Sequence, residues 1–330
     1  MYSWLVDLLN VLTGNFDRPG GAMFPLAAAG QANSSGGKRK PFTSGRWRSR
    51  VRGLPEVFSE LPVATLADEI LTPGGVRALV TVGGNPCLST PNSGRLAEAL
   101  AQLDFVVSLD VYLNETTRHA DVILPGPSPL ERPHYDVMPY QLAVRDVANW
   151  TPAALPTDLP QEWETMLRLT NIVTGQGPNP DIAALDDVVA GQIARRAGLD
   201  PAVAEGRPGP ERLLDLMLRA GPYDLTLADL EAAPHGVDLG PLQPRIPEIL
   251  NTASGKIELA PEPIAVDVPR LAAELTRPVD GMVLIGRRHP SSNNSWMHNV
   301  EPLVRGRNRC TVQVHPDDAR RLGLTAGSPR

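Results

Sequence analysis

The hydrophobic pattern of residues 76–125 is typical of strands that alternate with helices. Runs rich in Val, Leu and Ile recur at "VRALVTV", "FVVSL" and "DVILP". Between the first two, "GRLAEALAQL" has leucines at the spacing of one helix face, and "TTRHA" predicts a short helix before the third. Continuous apolar strands separated by helices predict a parallel sheet that is covered on both faces.

Helical periodicity also marks other parts of the chain. "YSWLVDLLNVL" carries leucines at helical spacing and leads to Gly14, a residue type that favours the end of a helix. Three further helices are predicted, at residues 161–173, 186–198 and 210–219. We assign residues 1–250 to one α/β domain.

A second domain is predicted over residues 251–330. "KIELA", "GMVLIG" and "CTVQVH" have the composition of strands, and "HPDDARRLGL" predicts a helix with Pro316 at its first position. The chain then stops on the turn residues "TAGSPR". We therefore expect a β-rich domain that is incomplete at its C-terminal end.

Composition and charge narrow the class of protein. The 330 residues are 42% hydrophobic and 21% charged, which is ordinary for a soluble globular protein of two domains. The formal net charge of −6 gives no general attraction to nucleic acid or anionic lipid. No apolar run reaches the roughly 18 residues of a membrane span. We expect no nucleic-acid partner, no membrane span and a cytoplasmic location.

The sequence offers no metal site by pattern. Cys87 and Cys310 form no C-x-x-C pair, which favours buried bystander thiols. The six histidines show no ligand spacing such as H-E-x-x-H. We assign no metal-ligating residue and no catalytic residue.

The glycine pair after the first strand is a candidate anion site. Gly83 and Gly84 stand between a strand and a new helical pattern, where glycine lets a backbone approach a phosphate. The usual G-x-G-x-x-G and P-loop motifs are both missing. Asp110 ends the second strand 26 positions after Gly84, where an acid can accept hydrogen bonds from a ribose. A helix-capping role for Asp110 is an equal alternative.

Residues 18–55 predict a long irregular segment with a basic stretch. Between residues 38 and 52, seven cationic residues occur with no acid between them: Lys38, Arg39, Lys40, Arg46, Arg48, Arg50 and Arg52. A solvated surface loop is one interpretation, and a flap over an anionic group is the other.

Four segments carry a family resemblance. They are "LTGNFDRPGG" at 12–21, "GGNP" at 83–86, "LDVYLNETTRHADVILPG" at 109–126, and the late pair "LIGRRHPSSNNSWMHN" at 284–299 with "VHPDDARRLGL" at 314–324. Their order resembles the molybdopterin oxidoreductase family, the bis-molybdopterin guanine dinucleotide enzymes that include formate dehydrogenases, nitrate reductases and dimethyl sulfoxide reductases. The resemblance spans most of the chain and thins between residues 150 and 250.

The resemblance implies a cofactor and the residues that hold it. The cofactor would be bis-molybdopterin guanine dinucleotide with molybdenum or tungsten. Its phosphates and ribose would lie against Gly83, Gly84, Asn85 and Pro86, and its nucleoside end against Asp110 and Asn114. A late loop would supply groups for phosphate and pterin from Gly286, Arg287, Ser295, Trp296, His298 and Asn299. For Trp296, a place in the core is an equal alternative.

The resemblance also implies a fold and a reaction. The first domain would be a parallel-sheet nucleotide-binding domain that lacks its N-terminal part, and the second a truncated β-barrel of the double-psi type. The whole protein would carry out two-electron chemistry on a small-molecule substrate and could exchange electrons with a partner subunit. The alternative is a cofactor-free scaffold subunit with the same fold. Gly84, Asp110 and Arg287 argue against that alternative, because a vacated site needs none of them.

The sequence departs from the family pattern at two places near the metal. The family's iron–sulfur cysteines, and the cysteine or selenocysteine that binds molybdenum, lie upstream of the segment that begins here. We therefore expect a 4Fe-4S cluster only in that upstream part. Formate-oxidising members carry an arginine shortly after the R-P-G-G type segment, and the matching residue here is Ala27. This difference counts against formate as the substrate.

Overall fold

The structure, a computed structural model, describes residues 1–30, 44–278, 281–292, 297, 300–306 and 311–327. The chain forms two compact units, residues 1–277 and 278–330. The helices of the described residues are α1 (Tyr2–Leu12), α2 (Leu66–Leu71), α3 (Pro86–Ser89), α4 (Ser93–Leu100), α5 (Glu162–Val173), α6 (Ile182–Ala197), α7 (Gly209–Arg219), α8 (Leu227–Glu231), α9 (Glu262–Ala265), α10 (Val268–Thr276), α11 (Glu301–Val304) and α12 (Pro316–Arg321). The strands are β1 (Ala78–Val82), β2 (Phe105–Leu109), β3 (Val122–Leu124), β4 (Asp146–Ala148) and β5 (Val237–Gly240).

The first three strands form the predicted parallel sheet. Their order is β1-β2-β3, and both neighbouring pairs are parallel. The register aligns Val80 with Val107 and Val107 with Val122. Because all three strands run the same way, the loops that follow β1 and β2 leave the sheet at the same edge.

Helices α2, α3 and α4 pack on one face of this sheet. Their buried side chains include Ile70, Cys87 and Leu96, and Leu79 of β1 packs against them. Val80 and Val82 alternate with Leu79 along β1, and they are 46% and 56% exposed. The prediction of cover on both faces is therefore wrong for β1, because the helices that flank this strand in the chain lie on the same side of it.

A second core joins the helical region to the start of the chain. Leu214 and Leu218 of α7 pack with Leu227 of α8, and Ala28 and Trp150 complete the same cluster. Strands β4 and β5 pair antiparallel beside it. Neither short strand is predicted from the sequence pattern, whereas α5, α6 and α7 all lie where the helical periodicity predicts helices.

Long-range hydrogen bonds fasten residues 17–26 to later parts of the chain. Asp17 Oδ2 accepts from the backbone N–H groups of Arg245, at 2.7 Å, and Ile246, at 2.6 Å. Asp146 Oδ1 accepts from Leu26 N at 2.7 Å, and the Tyr223 hydroxyl donates to Leu26 O at 2.8 Å. The "DRPGG" segment is thus held by residues that come more than a hundred positions later.

Three of the four arginines in the described part of the basic stretch pair with acids of the same chain. Arg46 forms an ion pair with Glu56, Arg50 with Glu69, and Arg52 with Asp68. Lys38, Arg39 and Lys40 lie outside the described residues. Arg48 donates instead to the backbone oxygen of Gly53, at 2.9 Å. Within residues 44–52, each arginine therefore has a partner in the same chain.

Three segments predicted as strands do not form strands in the described residues. These are "KIELA" at 256–260, "GMVLIG" at 281–286, and the part of "CTVQVH" from 311 onward. A segment with strand composition becomes a strand only where another backbone pairs with its N–H and C=O groups. The β-barrel therefore stays a prediction, while the predicted helix with Pro316 at its first position is present as α12. Among the described residues, every helix is too short or too polar to cross a membrane.

Candidate functional site

The candidate site lies at the edge of the sheet where β1 and β2 end. Gly83, Gly84, Asn85 and Pro86 follow β1, and residues 110–117 follow β2. Gly83 N donates to Leu109 O at 2.9 Å, which extends the pairing of the two strands by one residue. The two loops therefore leave the sheet side by side, as the parallel topology predicts.

The glycine pair borders open space. Gly83 has a φ of +56°, a left-handed conformation that glycine adopts without strain. Among the described residues, a Cβ built on Gly83 would meet nothing within 4 Å, and one built on Gly84 would meet only Val82 O, at 3.9 Å. The described part of the chain therefore does not require a glycine at 84, and the missing side chain leaves room beside these residues that a ligand can use.

Asn85 begins helix α3 but does not cap it with its side chain. Its carbonyl oxygen accepts from Leu88 N and Ser89 N, both at 3.0 Å. The N–H of Cys87, at the second position of α3, donates instead to Thr116 Oγ1 at 3.1 Å. Thr116 comes from the other loop and is fully buried. The helix start is thus capped across the two loops.

The side-chain amide of Asn85 is held by two neighbouring residues of the second loop. The Thr116 hydroxyl donates to Asn85 Oδ1 at 2.7 Å. Asn85 Nδ2 donates to Glu115 Oε2 at 2.8 Å. An amide has two donor hydrogens and two acceptor lone pairs, so these contacts use one of each.

Asp110 and Asn114 shape the second loop. The Asp110 carboxylate accepts from Tyr112 N at 3.0 Å and from Asn114 Nδ2 at 3.1 Å. Asn114 Oδ1 accepts from the N–H groups of Thr116, at 2.9 Å, and Thr117, at 3.0 Å. Asp110 thus stabilises a turn rather than the start of a helix, and Asn114 uses three of its four amide positions within the loop.

The remaining predicted site residues belong to the second unit or lie outside the described residues. Gly286 and Arg287 are exposed, and a Cβ built on Gly286 would meet nothing within 4 Å. Ser295, Trp296, His298 and Asn299 lie outside the described residues. Their assignment to a cofactor loop stays a prediction.

The described residues contain no cluster of His, Cys, Asp and Glu that could hold a metal ion. Cys87 is buried, 3% exposed, on the helix-covered side of the sheet. Cys310 lies outside the described residues.

Sequence reasoning missed Glu115 and Thr116. The signal lay in "LNETT", where three polar residues follow Asn114 directly after a buried strand and its turn. Polar side chains in that position can reach the neighbouring loop, but the pattern does not tell which of them do.

Comparison with known proteins finds a family match for the region that contains the candidate site. Residues 2–137 match the family described as molybdopterin oxidoreductase, and this region contains both loops of the candidate site. This match confirms the resemblance to the molybdopterin oxidoreductase family that the order of the sequence motifs predicts.

The curated relatives are oxidoreductases of several kinds. The chain is 28% identical over 142 residues to the biotin sulfoxide reductase of Cereibacter sphaeroides, covering 39% of this chain and 18% of the relative. It is 40% identical over 63 residues to the assimilatory nitrate reductase catalytic subunit of Bacillus subtilis, covering 19% of this chain and 9% of the relative. It is 25% identical over 275 residues to the NADPH-Fe(3+) oxidoreductase subunit alpha of Geobacter sulfurreducens, covering 81% of this chain and 26% of the relative. The chain thus spans about a quarter or less of the length of these relatives.

Proposed function

We propose that this chain is part of a molybdopterin-dependent oxidoreductase, and that the edge formed by residues 83–86 and 110–117 binds the nucleotide part of a bis-molybdopterin guanine dinucleotide cofactor. The observation that carries the proposal is the open backbone at Gly83 and Gly84 beside an amide, Asn85, that the second loop holds in place. The family membership of residues 2–137 supports the same class of cofactor.

The described residues fit the chemistry of a nucleotide. The glycine pair admits a bulky, charged group close to the backbone, because no side chain of the described residues occupies that space. Asn85 keeps one N–H and one lone pair beyond its contacts with Glu115 and Thr116, and Asp110 keeps acceptor capacity beyond its two contacts. These are the groups that ribose hydroxyls and phosphate oxygens require.

The protein and the cofactor would divide the work. The metal and its pterin would supply two-electron redox chemistry on a small substrate when bound. This chain's own residues would hold the nucleotide end, which lies away from the reacting atoms, and so fix the distance and orientation of the cofactor. Gly286, Arg287, Ser295, Trp296, His298 and Asn299 are proposed to contact its phosphate and pterin parts.

We also propose that the whole protein exchanges electrons with a partner subunit. A relative that matches over 81% of this chain is named as the alpha subunit of an NADPH-Fe(3+) oxidoreductase, which supports an enzyme of several subunits. A 4Fe-4S cluster would then carry the electrons, bound by residues outside this chain.

Metal and nucleotide analysis of the full-length protein tests the proposal. We expect molybdenum or tungsten near one atom per chain, together with GMP released when the denatured protein is hydrolysed. A folded, purified protein from molybdate-supplied cells that contains neither would contradict the proposal and would favour a cofactor-free scaffold. A protein that contains the metal but no guanine nucleotide would support the oxidoreductase and contradict the dinucleotide form of the cofactor.

A further inference from the structure

We infer that Thr116 and Glu115 are positioning residues for Asn85, and that they make the loops after β1 and β2 bind the nucleotide as one unit. The inference rests on the proposed function, because it concerns how that site is built. It assigns to this site two residues that do not themselves need to touch the ligand.

The first observation is an exchange of capping partners. An Asn at the start of a helix normally turns its side chain inward to accept from the N–H of the second or third helical residue. In α3 that role is taken by the Thr116 hydroxyl, which accepts from Cys87 N at 3.1 Å. The exchange releases the Asn85 amide from capping, so that it can face the edge of the sheet.

The second observation is that the amide has a fixed direction. The Thr116 hydroxyl, which is already an acceptor for Cys87 N, donates its only hydrogen to Asn85 Oδ1. The carboxylate of Glu115 accepts from Asn85 Nδ2. A half-turn of the amide would bring Asn85 Oδ1 against this carboxylate, two acceptors in contact, which is unfavourable. The two residues together therefore define which side of Asn85 donates and which accepts.

The third observation concerns what the fixed amide offers. One N–H and one lone pair of Asn85 remain beyond its contacts with Glu115 and Thr116. A group that both donates and accepts, such as a ribose hydroxyl, matches such a pair. An amide that rotated freely would lose conformational entropy when the ligand bound. Because the Asn85 amide is already oriented, this cost is smaller and the ligand is retained better.

A double-mutant cycle in the full-length protein tests the inference. The variants are Thr116→Val, which removes the hydroxyl at constant shape, Thr116→Ser, which keeps it, Asn85→Ala, and the double variant Asn85→Ala with Thr116→Val. The measured quantity is the rate at which guanine nucleotide leaves each purified protein during dialysis. Thermal unfolding of each variant reports the effect on the fold. Thr65→Val is the matched control, because Thr65 is also buried, 2% exposed, and its hydroxyl bonds only within its own turn.

We expect Thr116→Val to lose nucleotide about tenfold faster than wild type, the equivalent of about one hydrogen bond. Thr116→Ser should restore slow loss, and Thr65→Val should lower the unfolding temperature without changing the loss rate. In the Asn85→Ala background, Thr116→Val should have no further effect on the rate, because the residue on which it acts is gone.

The outcomes separate this inference from the proposed function. Rates that multiply in the double variant would show that Thr116 acts independently of Asn85, and would overturn the inference while the nucleotide site stands. Wild-type retention in Thr116→Val would overturn it as well. A wild-type protein that carries no guanine nucleotide would overturn both.

Discussion

Arg46 Nη2 donates a hydrogen bond of 2.5 Å to Oε1 of Glu56, a carboxylate that is fully buried. The same carboxylate accepts from the backbone N–H groups of Arg46, at 3.1 Å, and Ser59, at 2.7 Å. The Arg46 hydrogen bond, together with these N–H groups, lowers the pKa of Glu56 from 4.5 to about 2. The loop that contains Arg46 is therefore organised around one ionised acid.

This relationship predicts a specific acid sensitivity. Because the pKa of Glu56 is lower in the folded state than in the unfolded state, its ionised form stabilises the fold above about pH 4.5. That contribution is lost as the pH falls toward 2. We expect Glu56→Gln to be less stable than wild type at pH 7 and to lose less stability on going to pH 3, measured by urea unfolding. Glu60→Gln, at an exposed neighbouring position, is the control, and equal pH slopes for Glu56→Gln and wild type would contradict the prediction.

Tyr223 predicts a loss of stability at alkaline pH. Burial, followed by the charge of Asp146, raises the pKa of Tyr223 from 10.0 to about 12. The neutral phenol therefore stabilises the fold below pH 10, and this contribution disappears as the pH rises toward 12. Tyr223→Phe should show a flatter decline of stability between these values, measured by thermal unfolding. Tyr2→Phe should behave as wild type, because Tyr2 is 82% exposed.

Gly84→Val tests the open space beside the sheet. We expect the full-length variant to fold and to contain little molybdenum or guanine nucleotide, because the added side chain would fill room that the protein leaves empty. Gly94→Val is the matched control, since a Cβ at Gly94 also meets nothing within 4 Å and this residue lies on α4, away from both loops. Normal cofactor content in Gly84→Val would contradict the assignment of the glycine pair to the cofactor site.

Gly221→Ala tests the packing of the N-terminal segment on the second core. A Cβ at Gly221 would lie 2.1 Å from Ala28 O and 2.9 Å from Leu218 O, both backbone atoms. We expect the free energy of unfolding to fall by about 1–3 kcal/mol, as in other overpacked sites. Gly94→Ala should instead be neutral or stabilising by about 0.4–1 kcal/mol, because the space there is open and the backbone is helical. Equal stability of the two variants in urea unfolding would refute the packing argument.

The parallel sheet could be predicted from the sequence because its signal is local. The apolar runs at 78–82 and 105–109 predict strands, and the helical pattern between them predicts a parallel crossover connection. The position of the glycine pair at the edge of the sheet follows from the same topology. Strands β4 and β5 could not be predicted, since Asp146–Ala148 and Val237–Gly240 are short and meet only through tertiary packing.

The internal order of the candidate site could be predicted only in part. The place of Asp110 after a strand predicts a role in the site, but its contacts with Tyr112 N and Asn114 Nδ2 depend on the turn that the loop adopts. The link between Asn85 and Thr116 spans 31 positions and depends on the register of β1 with β2. Residue types and spacing do not determine that register. The capping of α3 by Thr116 in place of Asn85 could therefore be found only from the structure.

The long-range hydrogen bonds of residues 17–26 set the order in which parts of the chain can fold during synthesis. Asp17 bonds to Arg245 N across 228 positions, and Leu26 bonds to Tyr223 across 197. At about 5–20 residues per second, a ribosome needs about 10–45 s to make the intervening chain. During that interval the "DRPGG" segment has emerged without its partners, and its backbone is accessible to chaperones and proteases. The packing of this segment is therefore a late event that waits for residue 246.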